Sequence, residues 1–269
     1  MSSSLQSVSI QGLTGGVQPL LGLLSSRFQV QPCYRPINTS VHPHLSAYQV
    51  PSKQLVITCS EKVKVERTTN VSFPTSLEAP GGSTMLSLIG SGYREKSIAF
   101  IKVKVYAIGV YMDARVFASL ENWKGKSQEE LYKDAALFKM IAEAPVDKAI
   151  KIVLVRDVDG ATFWSALDEA VSPRLEAANA GAAGKEALDA FGEVFKGRSL
   201  KNGTSIYLNW VQPFRLEVAV SGDSMIPKCV EASIVSSDLV SALFDVYLGE
   251  NSVSPSTRTS IASELKLSL

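Results

Sequence analysis

Histidine and cysteine are scarce in this 269-residue chain, and their positions make the scarcity sharper. Both histidines, His42 and His44, and two of the three cysteines, Cys33 and Cys59, precede residue 61. Residues 61–269 therefore contain no histidine and a single cysteine, Cys229. Ser-His-Asp and Cys-His nucleophile pairs are excluded there. So is a zinc site built on histidine or on several cysteines, and no metal or cofactor is expected. One cysteine cannot close an internal disulfide. Any chemistry must use carboxylates, Tyr, Lys, Arg or backbone groups.

Long apolar runs are also missing. No stretch approaches the roughly 18 residues that a membrane-spanning helix needs, so no transmembrane segment is expected. The formal net charge is +1, which gives nucleic acid no electrostatic purchase. What remains is ordinary: 45% hydrophobic and 20% charged residues, enough to bury a sizeable core.

A third absence divides the chain. No acidic residue occurs before Glu61, and only Arg27, Arg35 and Lys53 carry fixed positive charge there. The same stretch is rich in serine, including Ser2, Ser3, Ser4, Ser7 and Ser9. Basic, serine-rich and acid-free is the composition of an organellar transit peptide, and the sparse arginines favour a plastid. Residues 1–60 are thus expected to be a disordered plastid leader and 61–269 the folded domain. A secretory signal is the weaker alternative, because the apolar run Val17 to Leu24 is short and no positive charge precedes it. A tail without an address is the other. Without the leader, 24 basic residues face 26 acidic ones. The domain is then neither a polyanion binder nor a polyanion mimic.

Periodicity outlines a mixed domain. Residues 68–90 read as short extended pieces broken at Pro74 and at Ala79-Pro80-Gly81-Gly82. Residues 97–112 (SIAFIKVKVYAIGVYM) read as one strand, wet around Lys102 and Lys104 and apolar on both faces from Ala107 onward. Asp113 can cap a helix running to about Asn122. Ser127 with Glu130 forms a capping box for a second helix, striped by Leu131, Ala135, Leu137, Phe138 and Ile141. A strand over Ala149 to Val158 precedes a helix from near Ala161, which Pro173 should kink or end. Residues 177–184 read as a loop or frayed end, followed by a helix over about Lys185 to Phe195. Thr204 to Val211 and Phe214 to Val220 read as a hairpin around Gln212-Pro213. The last helices are Asp238 to Leu248, stopped by Gly249, and one opened by Pro255. Strands and helices do not alternate regularly, so the class is α+β.

Three segments carry a resemblance. Gly90-Ser-Gly-Tyr-Arg94 through Ala107-Ile-Gly-Val-Tyr-Met112 resembles the first core strands of the chalcone isomerase superfamily. Trp123-Lys-Gly-Lys-Ser127-Gln-Glu-Glu-Leu131 resembles its helix entry. Leu248-Gly-Glu-Asn-Ser-Val-Ser-Pro255 resembles its closing segment. Together they span about residues 70–269 in the family's order. The resemblance implies an open-faced β-sandwich, a large antiparallel sheet covered by a layer of helices.

It also implies a site. Arg94 matches the cleft arginine of the family. Tyr106 stands where the isomerases have threonine, as in the branch that binds fatty acids in plastids without catalysis. The isomerases' catalytic tyrosine falls at Phe163, their asparagine at Ala170 and their last cleft hydroxyl at Val246, so three polar groups have become apolar. The expected site is Arg94 and Tyr106 at a fatty-acid carboxylate, with Phe163, Ala170, Val246 and Tyr247 lining the cleft and no catalytic residue. The implied ligand is a free fatty acid, and the implied compartment is the chloroplast stroma. Taken alone, Arg94 beside Glu95 and Lys96 reads as part of a solvated charge run, and the apolar four read as core. Twelve residues of straight strand would hold Arg94 and Tyr106 ~40 Å apart, so the chain must fold back between them. Ser97-Ile-Ala-Phe100 offers no Gly, Asn or Pro for that turn. The other functions left open are a chalcone isomerase and a non-catalytic accessory of flavonoid enzymes.

Overall fold

The structure is a computed structural model that describes residues 62–98, 100–222, 226–227 and 229–268. The expected leader, residues 1–60, lies outside the described residues. Eleven strands are described: β1 (Val63–Glu66), β2 (Val71–Pro74), β3 (Ser76–Glu78), β4 (Met85–Ile98), β5 (Ile101–Met112), β6 (Lys148–Leu154), β7 (Val158–Asp159), β8 (Ser199–Leu200), β9 (Ser205–Val211), β10 (Arg215–Ser221) and β11 (Ala232–Val235). Seven of them form one antiparallel sheet in the order β11-β10-β9-β6-β5-β4-β3. A 3₁₀ helix (Ala114–Trp123) and six α-helices complete the described residues: α1 (Gln128–Lys133), α2 (Ala135–Glu143), α3 (Gly160–Ala177), α4 (Gly181–Glu193), α5 (Ser237–Leu248) and α6 (Pro255–Ser268).

The period of two along β5 explains the layering. Tyr106, Ile108, Val110 and Met112 enter the main core, together with Leu167, Phe191, Leu243 and Phe244 of the helices. Ala107 and Tyr111 point to the opposite face, where Phe73, Leu77 and Leu86 cover them. Both faces are therefore buried from Tyr106 onward, whereas Ile101, Lys102 and Lys104 are exposed. This is the open-faced α+β sandwich that the sequence implies.

Several boundaries differ from the sequence expectation. The strand read over 97–112 is two strands: Ser97 and Ile98 close β4, and β5 begins at Ile101. The helix read after Ser127 is two, because Asp134 ends one with its backbone N–H on Leu131 O and caps the next with its carboxylate. That carboxylate accepts from Leu137 N, from Trp123 Nε1 and from Lys126 Nζ, which also gives the Trp123-Lys-Gly-Lys turn its purpose. The strand read over Ala149 to Val158 stops at Leu154 and resumes as the short β7. Pro173 neither ends nor splits α3, which runs on to Ala177. Arg174 braces that region, donating to Ala170 O, Asp245 Oδ2 and Asn251 O. The alanine-rich stretch is loop only over residues 178–180, since α3 runs to Ala177 and α4 starts at Gly181.

One arrangement was invisible in the periodicity. Beyond Ser87, β4 has β5 on one side and, among the described residues, no strand on the other. Its free edge is closed by serines at the start of α6. Ser260 Oγ accepts from Ser91 N, Ser256 Oγ accepts from Tyr93 N, and Ser254 Oγ donates to Tyr93 O. An edge covered in this way cannot recruit another strand. Such close approach requires the Gly90-Ser-Gly92 pair: a Cβ at Gly90 would strike Ile261, and one at Gly92 would strike Thr257.

Candidate ligand cleft

The β4–β5 hairpin solves the distance problem between Arg94 and Tyr106. Ile98 pairs with Ile101, so the chain reverses in two residues, with Phe100 at φ +70°. Arg94 and Tyr106 then become direct cross-strand partners. The pairing slips at that point, because Glu95 faces Lys104 and Val105 is left over. A bulge of this kind re-aims side chains, and here both Val105 and Tyr106 line one cavity.

That cavity has a volume of about 260 Å³ and lies between the hairpin and the start of α3. Arg94, Tyr106 and Phe163 all line it. Asp159 aims the helix: its carboxylate caps α3 by accepting from Thr162 N at 2.9 Å. Phe163, one residue on, places its ring 6.1 Å from that of Tyr106. Phe195 backs it at 5.0 Å, so the inner wall is aromatic.

Arg94 Nη1 donates to Tyr106 Oη at 3.2 Å. Tyr106 Oη in turn lies 3.4 Å from Tyr247 Oη, which arrives from α5. Tyr106 is only 1% exposed and Tyr247 fully buried, whereas Arg94 is half-buried. Burial opposes the charge of Arg94, but Tyr106, Tyr247 and Glu169 outweigh it and leave the pKa raised. Burial pushes the Tyr247 phenol well up, with Tyr106 adding to the effect, so it stays neutral. The group is thus a permanent cation backed by two buried phenols.

Its surroundings are short of negative charge. Lys96 and Arg156 also line the cavity, against Asp157 and Asp159. Both carboxylates are already engaged. Asp157 accepts from Asn202 N and pairs with Lys201, which lowers its pKa, and Asp159 is lowered by its bonds to Thr162. Among the described residues, Arg94, Lys96 and Arg156 have no carboxylate within ion-pair distance. Such a cavity can take an anionic head group against an apolar wall.

The other expected site residues sit differently. Ala170 is partly buried and Val246 fully buried, both packed in the main core, and neither lines the cavity. Tyr247 does not line it either, but reaches it through Tyr106. Sequence reasoning missed Val105, Lys96, Arg156 and Thr162. The Asp159-x-x-Thr162 spacing ahead of an apolar period was a usable cap signal. The others depend on a bulge and a crossover that no local pattern announces.

Comparison with known proteins places this architecture. The family described as chalcone-flavanone isomerase matches residues 68–267. Chalcone–flavanone isomerase 1 of Chrysanthemum morifolium is 31% identical over 198 residues, covering 73% of this chain and 84% of the relative. The chalcone–flavanone isomerase of Oryza sativa subsp. japonica is 34% identical over 200 residues, 72% of this chain and 86% of the relative. Chalcone isomerase-like protein 2 of Humulus lupulus is 33% identical over 189 residues, 68% and 88%. Among solved structures, the Arabidopsis thaliana fatty-acid binding protein AtFAP1 aligns with a TM-score of 0.62 at 24% identity, over 77% of this chain and 98% of that one, a likeness of fold. The chain belongs to the chalcone isomerase family.

Proposed function

We propose that this chain holds a free fatty acid and does not isomerise a chalcone. The observation that carries the reading is Arg94: a half-buried guanidinium at an apolar cavity whose one side-chain hydrogen-bond partner among the described residues is the Tyr106 hydroxyl. A buried or half-buried charge calls for a counter-charge, and a ligand carboxylate supplies one. The planar fork of Arg can bond both carboxylate oxygens. Tyr106 adds a phenolic donor without adding charge. The acyl chain then runs past Phe163 between the sheet and α3, where loss of polar cleft groups favours an alkyl ligand. The name of the solved neighbour, a fatty-acid binding protein, agrees with this reading. Delivery or buffering of the acid in the plastid stroma completes it.

The isomerase reading has the sequence comparisons in its favour: the matching family is described as chalcone-flavanone isomerase, and relatives at 31–34% identity carry that name. Against it stand Phe163, Ala170 and Val246, which offer no donor where the resemblance puts the isomerases' polar groups. Loss of one positioned donor can cost about 10²–10³ in rate. Purified chain assayed for cyclisation of a chalcone should therefore give turnover orders of magnitude below that of the rice relative measured beside it. Mass spectrometry of lipid extracted from the purified chain should find fatty acid. Turnover equal to that of the relative would replace this proposal with the isomerase.

A further inference from the structure

The tip of the β4–β5 hairpin exposes its apolar side chains without cover. Phe100 is 103% exposed and Ile101 67%. Phe100 also holds φ +70°, a left-handed backbone that a bulky L residue adopts only at a cost. A phenyl ring in water and a left-handed backbone both count against this residue, and among the described residues no cover of the ring offsets either. The two-residue reversal itself calls for a positive φ, so it is the uncovered ring that points to use rather than to packing.

Cations surround the tip. Lys96, Lys102 and Lys104 are exposed along the same two strands, and Arg156 is exposed on the adjoining wall of the cavity. Glu95 is the one carboxylate between Tyr93 and Tyr106, and Lys102 pairs with it at 3.0 Å. Lys96 and Arg156 have no ion pair among the described residues. The strand that carries this tip also carries the cleft: Arg94 lies four residues before Ile98, ~13 Å along β4.

We propose that this hairpin docks on an anionic lipid bilayer, with Phe100 and Ile101 entering the interfacial layer and Lys96, Lys102, Lys104 and Arg156 facing the head groups. Two apolar side chains ringed by cations are what such a surface receives. A protein partner is disfavoured by size, since a stable protein interface takes about 800 Å² from each side and this tip is two side chains. Docking sets the mouth of the cleft at the surface from which an amphiphilic acid leaves or to which it returns. That consequence rests on the fatty-acid reading, whereas the docking itself does not.

The test uses the full chain and extruded vesicles of phosphatidylcholine, alone or with about a third phosphatidylglycerol. Flotation should show several-fold more chain on the anionic vesicles, with the excess falling as salt rises and screens the head groups. Phe100→Ser with Ile101→Ser should lower that binding tenfold or more, at unchanged melting temperature and unchanged fatty-acid titration. Lys102→Glu with Lys104→Glu should remove the preference for anionic vesicles. Phe100→Trp should shift its emission to the blue on anionic vesicles only. Equal binding of the Ser variant and wild type, absence of wild-type binding, or a Phe100-dependent dimer formed without lipid would each overturn the proposal. A chain that floats with vesicles and binds no acid keeps the docking and removes the fatty-acid reading. A chain that binds the acid and ignores vesicles does the reverse.

Discussion

The residues that matter most here are charges held where water is thin. Arg94 was readable as a candidate site residue only through the family frame, because its neighbours Glu95 and Lys96 make it read as surface. Lys148 was not readable at all. It is fully buried on β6, donates to the carbonyls of Ala142 and Ala144, and lies 3.9 Å from the Trp210 ring centroid. Burial lowers its pKa from 10.5 to about 7, with Glu143 pulling slightly the other way. Between those values the unfolded chain binds more protons than the folded one, so stability rises with pH. The penalty is full below pH 7 and fades toward 10.5. Lys148→Met removes it, so the stability gap between variant and wild type should shift against the variant by about 2–3 kcal/mol from pH 7 to pH 9.5. Urea unfolding at both pH values measures the gap. A constant gap would mean that Lys148 keeps its charge throughout.

At the scale of elements, the sequence is legible wherever a local signal ends or begins a helix. Ser127 with Glu130 forms the capping box that the spacing predicts. Gly249 stops α5 and Pro255 opens α6 as read. The failures have a common physical cause, which is tertiary contact overriding local pattern. Asp134 divides one apolar stripe into α1 and α2 because it must also accept from Trp123 and Lys126. Pro173 stays inside α3 where Arg174 ties three neighbouring segments together. Two residues without Gly, Asn or Pro reverse the chain between β4 and β5, since the long β4–β5 pairing itself fixes the register. The serine-covered edge of β4 belongs to this scale as well. Gly92→Ala would drive a methyl into Thr257 and lift α6 from β4, so we expect about 1–3 kcal/mol or more of destabilisation in urea unfolding. An unchanged midpoint would show that α6 can slide without loss.

At the scale of the molecule, the fold and the family are settled by architecture and by relatives that span most of their own length. The sheet and its helical layer were legible from the α+β pattern together with three ordered motifs. The cleft was legible in part: Arg94, Tyr106 and Phe163 meet at one cavity, whereas Ala170 and Val246 pack into the core beside it. The address of the protein remains a proposal from composition. Residues 1–70 fused to a fluorescent protein should carry it into the plastid stroma, and cytosolic or secreted fluorescence would contradict the leader.

The central claim is that Arg94 with Tyr106 binds the carboxylate of a fatty acid. A hydrogen bond to a charged group contributes about 1.5–3 kcal/mol. Calorimetric titration of a free fatty acid into wild type, Arg94→Met and Tyr106→Phe measures the claim directly. Arg94→Met should weaken binding by roughly ten- to a hundredfold or more and Tyr106→Phe by less, while the methyl ester should bind wild type poorly and barely distinguish it from Arg94→Met. Equal affinity of wild type and Arg94→Met for the free acid would contradict the account.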